Sequence, residues 1–378
     1  MHTVAQPVST PVTEEPVNAQ PVSTAQRTPQ PMRTASSDTA SGDTAQNAAT
    51  ARVAIAGATG YTGQELLRLL SRHPAVTLTA AMSSGTTGAS SRRLPGLTRL
   101  WDGVITPLAP DTLAREADVV FLALPDSTAA QLGPALVDAG VRVIDLSGAF
   151  RLRDTDARAQ WYPDTHRWPS GVAYGLTELE RGAVARAQLV ANPGCYPTAT
   201  LLPLAPLIAA GLLLPNTDVI VDAKSGVSGA GKTPSERTHF SEIHGSMSAY
   251  GVFSHRHGAE IEQGAGRQVT FTPHLVPLDR GILSTIYVRV PPGTTEEAMG
   301  DVLERAYAGA TFVRLVGSSL PEIKHVAHTN FCDIGWRVDA SGRAILVSVI
   351  DNLLKGASGQ AVQNLNVMLG LDERTSLL

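Results

Sequence analysis

A short apolar strand that runs straight into three evenly spaced glycines constrains this chain more than any other feature. Arg52-Val-Ala-Ile-Ala-Gly-Ala-Thr-Gly-Tyr-Thr-Gly63 carries Gly57, Gly60 and Gly63, and Gln64-Glu-Leu-Leu-Arg-Leu-Leu70 follows with the apolar spacing of a helix. A strand, a glycine loop and a helix in that order let backbone approach a pyrophosphate held at the helix N-terminus. Gly57, Thr59, Gly60, Tyr61, Thr62 and Gly63 are therefore candidate dinucleotide-binding residues. Three glycines alone are weak evidence, but the apolar run Val76-Thr-Leu-Thr-Ala-Ala81 arrives at the distance that completes a βαβ unit.

The end of that second strand selects the cofactor. A site for NAD places a carboxylate there to hold the ribose hydroxyls, whereas this sequence reads Met82-Ser83-Ser84-Gly85-Thr86. A carboxylate repels a 2′-phosphate; hydroxyls accept one. Ser83 and Ser84 thus predict NADP(H), with Arg92 and Arg93 either assisting or standing as solvated loop charges.

Ala117-Asp-Val-Val-Phe-Leu-Ala-Leu124 and Val141-Arg-Val-Ile-Asp-Leu146 continue the pattern, with a helix predicted over 127–139 between them. Near-continuous apolar strands alternating with helices predict an α/β fold, a Rossmann-like parallel sheet covered on both faces. The next strand, Gln188-Leu-Val-Ala191, leads through Asn192-Pro193-Gly194 to Cys195, and Pro197 marks the first turn of a helix that Pro203 and Pro206 are expected to interrupt or shift. Cys195 then lies on a strand-to-helix turn, where helix dipole and backbone N–H groups should ease loss of the thiol proton. The alternative is a small buried apolar cysteine.

Beyond Gly211, the runs Asp218–Ala223, Gln268–Thr272, Ile282–Val290 and Ala344–Ile350 partly alternate polar and apolar residues. That alternation predicts an antiparallel sheet with one covered face, hence a second, α+β domain. The divisions follow: a dinucleotide-binding domain over 51–195, an α+β domain over 196–351, and a C-terminal helical segment, about 352–378, packing back on the first. Residues 1–50 contain no Leu, Ile, Phe, Tyr or Trp, and the hexapeptide Ala-Gln-Pro-Val-Ser-Thr occurs in them twice. Such a composition predicts a disordered tail; it lacks the apolar core of a secretion signal.

Two stretches in the second half compete for a chemical role. Gly226-Val-Ser-Gly-Ala-Gly-Lys-Thr233 satisfies the P-loop pattern in every fixed position. Pro234-Ser-Glu-Arg-Thr-His that follows lacks the periodicity of the helix a P-loop needs, so a phosphate-cradling or interface loop is the better reading. In Ser254-His-Arg-His-Gly-Ala-Glu-Ile261, His255 and His257 alternate and would share a face of an extended segment. A thiol and an imidazole together suit covalent catalysis. A zinc site is the rival, but Cys195 and Cys332, the only two cysteines, lack paired ligand spacing, so no metal is expected. Two cysteines also suit a reducing cytoplasm. A net charge of −4 gives no reason to expect nucleic acid or an anionic membrane as partner, and no apolar run reaches the length of a membrane span.

Together, Gly57–Gly63, Asp145-Leu-Ser-Gly-Ala-Phe-Arg-Leu152, Tyr174-Gly-Leu-Thr-Glu-Leu179, Asn192–Thr198, Ser225–Gly231, His255-Arg-His257 and Lys355-Gly-Ala-Ser-Gly-Gln-Ala361 resemble the N-acetyl-gamma-glutamyl-phosphate reductase family from about residue 51 to the C-terminus. The chain departs from that pattern at Gly148-Ala149 and at Gly258-Ala259. The resemblance implies the semialdehyde dehydrogenase architecture with 196–351 as its catalytic and dimerisation domain, an NADPH-dependent reduction of an acyl phosphate to a semialdehyde in arginine biosynthesis, and a homo-oligomer, dimer or tetramer. Related dehydrogenases acting on aspartyl phosphate or on carrier-bound aminoadipyl phosphate differ only in the acyl group. By the same resemblance Cys195 is the nucleophile and His257 the acid–base, with His255 orienting it or exchanging roles with it. Arg151, Asn192 and Lys224 would meet the substrate and Gly356 the cofactor.

Overall fold

The computed structural model describes residues 50–83 and 93–378; the tail before them, and Ser84 to Arg92, lie outside the described residues. The first sheet is built from β1 (Ala51–Ala56), β2 (Val76–Ser83), β3 (Thr106–Pro107), β4 (Val119–Leu122), β5 (Arg142–Asp145), β6 (Val172–Tyr174) and β7 (Leu189–Ala191). All its pairings are parallel, in the order β3-β2-β1-β4-β5-β7-β6. Strand order reverses between β1 and β4, so a crevice opens beyond their C-terminal ends, where such sheets bind ligands. The linking helices are α1 (Tyr61–Leu70), α2 (Pro110–Glu116), α3 (Asp126–Asp138), α4 (Thr155–Trp161) and α5 (Thr177–Arg186). Every residue of β4 is buried, which is why its sequence is apolar without alternation.

From β7 the chain enters α6 (Cys195–Ala209), which leaves the first sheet and lies against the second. The expected interruption does not occur: Pro203 and Pro206 sit inside one continuous helix. Pro206 has no N–H for the carbonyl of Leu202 four residues before it, and the buried hydroxyl of Tyr307 donates to that carbonyl instead. A partner from outside the helix thus replaces the lost bond.

The second sheet comprises β8 (Ile220–Gly226), β9 (Ser248–Ala249), β10 (Thr270–Val276), β11 (Ile282–Arg289), β12 (Val313–Gly317), β13 (Cys332–Val338) and β14 (Arg343–Ile350), in the order β12-β13-β14-β11-β8-β10-β9. Contrary to the antiparallel expectation it is mixed, because β8 pairs parallel with β10 and β12 with β13. The crossovers that make these pairs parallel contain helices, among them α7 (Phe240–Ile243) and α8 (His257–Ala265) in the first. With α9 (Glu296–Ala306), α6 and α8 cover one face of the sheet. The other face is open and carries Ile220, Tyr287 and Ile345, each 38–39% exposed.

After β14 a single π-helical turn over Leu354–Ser358 leads into α10 (Gly359–Met368), whose residues are all buried, among α1, α5 and the first sheet. Within it Lys355, with no exposure, donates to Glu178 at 2.6 Å and to Gln363 at 2.7 Å. A buried ammonium needs such partners, and they fix the turn between the two halves.

Candidate active site

Cys195 is the first residue of α6, and Gly194 before it is extended, so the chain turns from strand to helix at the thiol. Cys195 is partly exposed, while Cys332 is buried beside the hydroxyl of Ser348, the ordinary fate of a lone cysteine. Glycines press in from both sides. A Cβ on Gly356 would lie 2.7 Å from that of Cys195, and one on Gly194 would lie 2.5 Å from His257 Nε2. Gly356, expected at the cofactor, packs directly on Cys195.

His257 is the first residue of α8, so the histidine pair is not extended as expected; its two members still meet, with ring centroids 4.8 Å apart. The convergence of thiol and imidazole has a packing cause. A Cβ on Gly264 would come within 2.4 Å of Leu201, so α8 crosses α6 closely and the two helix N-termini meet. Tyr196 stacks edge-on against both imidazoles and against Phe271, and its hydroxyl donates to the carbonyl of His274. His255 Nδ1 accepts the backbone N–H of His257 at 3.1 Å, which makes His255 an orienting group. Family-atypical Gly258 leaves open space against Phe271, while a Cβ on Gly148 would collide with the ring of Tyr162.

A buried ion pair lies behind the two reactive groups. Arg151 donates to the carbonyls of Asn192 and Leu146 at 2.8 Å each, meets Glu260 at 3.4 Å and approaches His257 Nε2 at 3.3 Å. Glu260 accepts the N–H of Gly194 at 2.9 Å and the hydroxyl of Tyr174 at 2.7 Å. One carboxylate thus ties the turn before Cys195 to the arginine beside His257. Sequence reasoning quoted Glu260 without giving it a role; its place three residues after His257, on the same helix face, was the available signal.

Burial pushes the Cys195 thiol up to about 11, against the pull of Arg151 and of the N–H groups of Tyr196 and Cys195. The expectation of an easily ionised thiol is therefore corrected: desolvation outweighs the helix N-terminus. Burial also drives His257 well below its usual range, helped by Arg151, His255 and Arg256, and brings His255 down to about 4. The resting pair is a neutral thiol beside a neutral imidazole, and His257 Nδ1 is buried with no hydrogen-bond partner among the described residues. With an arginine donor at Nε2, the ring proton resides on Nδ1.

The glycine loop lies at the crevice. Gly57 has φ +95°, and a Cβ there would fall 2.0 Å from the carbonyl oxygen of Ala123; one on Gly63 would fall 2.2 Å from that of Gly57. The N-terminus of α1 has no side-chain cap and no acidic residue in its first turn, leaving its N–H groups for an anion. Ser83 closes β2 with its hydroxyl 3.2 Å from that of Thr59. These features fit a phosphorylated dinucleotide. Ser358 donates to the carbonyl of Thr62, so the turn bearing Gly356 joins this loop to Cys195.

Other expected residues are placed differently. The amide of Asn192 is fully buried and engages Ala357 and Asn364 rather than opening toward substrate. Lys224 is not brought to Cys195: it lies on the sheet face turned away from α6, in an ion pair with Asp222 at 2.9 Å. Arg93 donates to the carbonyl of Asp102, and Ser84 and Arg92 lie outside the described residues. The P-loop-like stretch forms a 3-10 turn over Val227–Ala230 with no α-helix directly after it, which rules against the fold of an ATP site. Among the described residues no cluster of three His, Cys, Asp or Glu is arranged to hold a metal ion.

Residues 52–187 match the family described as semialdehyde dehydrogenase, NAD binding domain, and residues 195–352 that described as semialdehyde dehydrogenase, dimerisation domain. The N-acetyl-gamma-glutamyl-phosphate reductase of Syntrophobacter fumaroxidans is 47% identical over 337 residues, spanning 86% of this chain and 97% of that protein. The enzyme of the same name from Symbiobacterium thermophilum is 48% identical over 342 residues, with 87% and 98% covered. The chain belongs to the N-acetyl-gamma-glutamyl-phosphate reductase family. Among solved structures, aspartate semialdehyde dehydrogenase II of Vibrio cholerae superposes with a TM-score of 0.66 at 20% identity, over 85% of this chain and 98% of that one. The Candida albicans aspartate semialdehyde dehydrogenase with NADP gives 0.65 at 16%, over 85% and 99%. At those identities the likeness establishes the fold that the reductase family shares with them.

Proposed function

We propose that this chain catalyses the NADPH-dependent reduction of N-acetyl-gamma-glutamyl phosphate to N-acetylglutamate 5-semialdehyde and phosphate, a step of arginine biosynthesis, with Cys195 as nucleophile and His257 as acid–base. The observation that carries the assignment of residues is the meeting of two helix N-termini, one bearing Cys195 and the other His257, beside the dinucleotide crevice. The neutral imidazole takes the thiol proton as Cys195 Sγ attacks the acyl carbon; the C–O bond to phosphate breaks, phosphate leaves, and a thioester on Cys195 remains. When bound, the dinucleotide supplies the hydride that reduces this thioester. His257 then returns its proton to Sγ as the C–S bond breaks and the aldehyde forms. The N–H of Gly194 is held by Glu260, so the N–H groups of Cys195 and Tyr196 are the backbone donors for developing negative charge. Arg151 keeps its charge and steadies His257 and the turn at Asn192, a positioning role in place of the substrate contact that the family resemblance implied.

The glycine loop and Ser83 hold NADP(H), and the absence of a carboxylate at the end of β2 supports that choice over NAD. The open face of the mixed sheet, with Ile220, Tyr287 and Ile345 around a concavity of about 990 Å³, is the surface for a homo-oligomer. No helix among the described residues is long and apolar enough to cross a membrane, and two unpaired thiols suit the cytoplasm. The test is NADP-dependent, phosphate-requiring oxidation of N-acetylglutamate semialdehyde measured beside aspartate semialdehyde. Preference for the aspartate substrate would overturn the acyl assignment.

A further inference from the structure

The P-loop-like stretch is left without a role by the chemistry above, yet it is rigidly built. Gly226 and Val227 donate to the carbonyls of Gly281 and Leu278 at 2.9 and 2.8 Å, and Ser228 Oγ donates to that of Asp279 at 2.6 Å. Asn352 donates to Ser228 Oγ at 2.9 Å and accepts the N–H of Gly281 at 2.7 Å. A Cβ on Gly226 would come within 2.9 Å of two of these carbonyls, so the close approach requires glycine. The anchoring segment is itself fastened to the first half, because Arg280 pairs with Glu65 of α1 and with Asp351. From this base residues 229–232 project into solvent, turning at Gly231 with φ +84°. Lys232 at the tip reaches back across the crevice and donates to the carbonyl of Thr59, in the glycine loop, at 3.4 Å.

An ammonium group brought from the catalytic half to within hydrogen-bond distance of a dinucleotide loop finds, among the described residues, a neutral carbonyl there. Next to that carbonyl lies the uncapped N-terminus of α1, which already favours an anion. A phosphoryl oxygen is the stronger acceptor for the same donor, since charge-assisted hydrogen bonds are shorter and stronger than neutral ones. We propose that Lys232 binds the pyrophosphate of the dinucleotide from above the glycine loop, so that the catalytic half completes the cofactor site. The inference rests on the reading of the crevice as an NADP(H) site. The same chemistry could instead meet the phosphate of the acyl substrate, and the experiment separates the two.

Binding of NADPH and of NADH to the full chain is measured by fluorescence titration, without turnover, for the unmodified protein, Lys232→Met and Lys232→Arg. The expected result is a dissociation constant raised about tenfold or more in Lys232→Met, by a similar factor for both cofactors, and restored to within about threefold by Lys232→Arg. The side chain is exposed, so the melting temperature of the ligand-free variants stays at that of the unmodified protein. A loss confined to NADPH would place Lys232 at the 2′-phosphate and overturn the proposal. So would unchanged cofactor binding, and if the KM for inorganic phosphate in the oxidative direction then rose, the lysine would belong to the substrate. Failure of the unmodified protein to bind NADPH would sink the reading of the crevice itself, and this inference with it.

Discussion

Replacing Glu260 by Gln isolates what the buried carboxylate does for the nucleophile. Its Oε1 accepts from Gly194 N–H and Tyr174 Oη–H, and its Oε2 faces Arg151. An amide keeps the first oxygen but turns an NH2 toward the guanidinium, donor against donor, and removes the charge that balances Arg151. Breaking one side of a buried ion pair costs about 3 kcal/mol or more. In a chain of this size that lowers the melting temperature by about 5 °C or more. The second consequence has a definite sign. Glu260 is one of the charges holding the Cys195 thiol up near 11, so its loss lowers that value and enlarges the thiolate fraction at fixed pH. At pH 8 that fraction begins at on the order of one in a thousand, and alkylation by iodoacetamide should accelerate about threefold or more. Turnover should nevertheless fall about tenfold or more, because Arg151, no longer balanced, is displaced from the carbonyl of Asn192 and from His257. Faster alkylation with slower turnover is the signature. Alkylation that slowed or did not change would show that Glu260 exerts no field at Sγ and would refute the reasoning.

Cys195→Ser should abolish turnover while leaving NADPH titration within about twofold, since the covalent step alone is lost; residual activity above about a tenth would remove Cys195 as nucleophile. His257→Asn should slow turnover by about 10² to 10⁴, with acylation of Cys195 followed by mass spectrometry slowed as well because the raised thiol loses its proton acceptor, and His255→Asn should do less damage. Ser83→Asp should weaken NADPH binding by charge repulsion and affect NADH less; equal losses would move the 2′-phosphate elsewhere. Because both imidazoles are neutral in the fold and protonate below about 6.5 when unfolded, the unfolded state binds more protons as pH falls from 6.5 toward 4. Stability should therefore decline through that window, and a melting temperature independent of pH there in the unmodified protein would contradict the buried placement of the pair.

The parallel sheet was readable because β1 and β4 are buried on both faces and leave a continuous apolar signature. The short β6 is a single three-residue strand, too brief for any period. β13 was not singled out, although Cys332, Ile334, Trp336 and Val338 alternate with Asp333, Gly335 and Arg337 as a strand does; Asp333 is nevertheless buried, paired with Arg314 of the neighbouring strand at 2.6 Å. Cys195 was legible as a candidate because it is one of only two cysteines, and His257, one of ten histidines, only through the motif it shares with His255. Glu260 was not, since its importance comes from a turn sixty-six residues away in sequence. The placement of Lys224 and Asn192 was illegible for a related reason: a residue type and a motif do not say which face of a sheet a side chain occupies, nor which buried amide will claim it.

The elevated thiol and depressed imidazole give the resting site a physical logic that sequence could not supply. A permanent thiolate–imidazolium pair would place two further charges beside the Arg151–Glu260 pair, each with a desolvation cost. Keeping both groups neutral avoids that cost until an electrophile arrives. Proton transfer from Sγ to His257 then accompanies bond formation, when the negative charge moves away from sulfur onto the acyl oxygen and the departing phosphate. Two helix N-termini and one arginine converge at that place, and their fields favour the anionic arrangement more than the neutral resting one. The buried carboxylate is held by Gly194 N–H and Tyr174 Oη–H and shields part of that positive potential from the resting thiol. Arg151 and the N–H groups of Cys195 and Tyr196 pull the thiol down but are outweighed by burial in the resting protein, so they leave most of their stabilisation to the step in which charge develops.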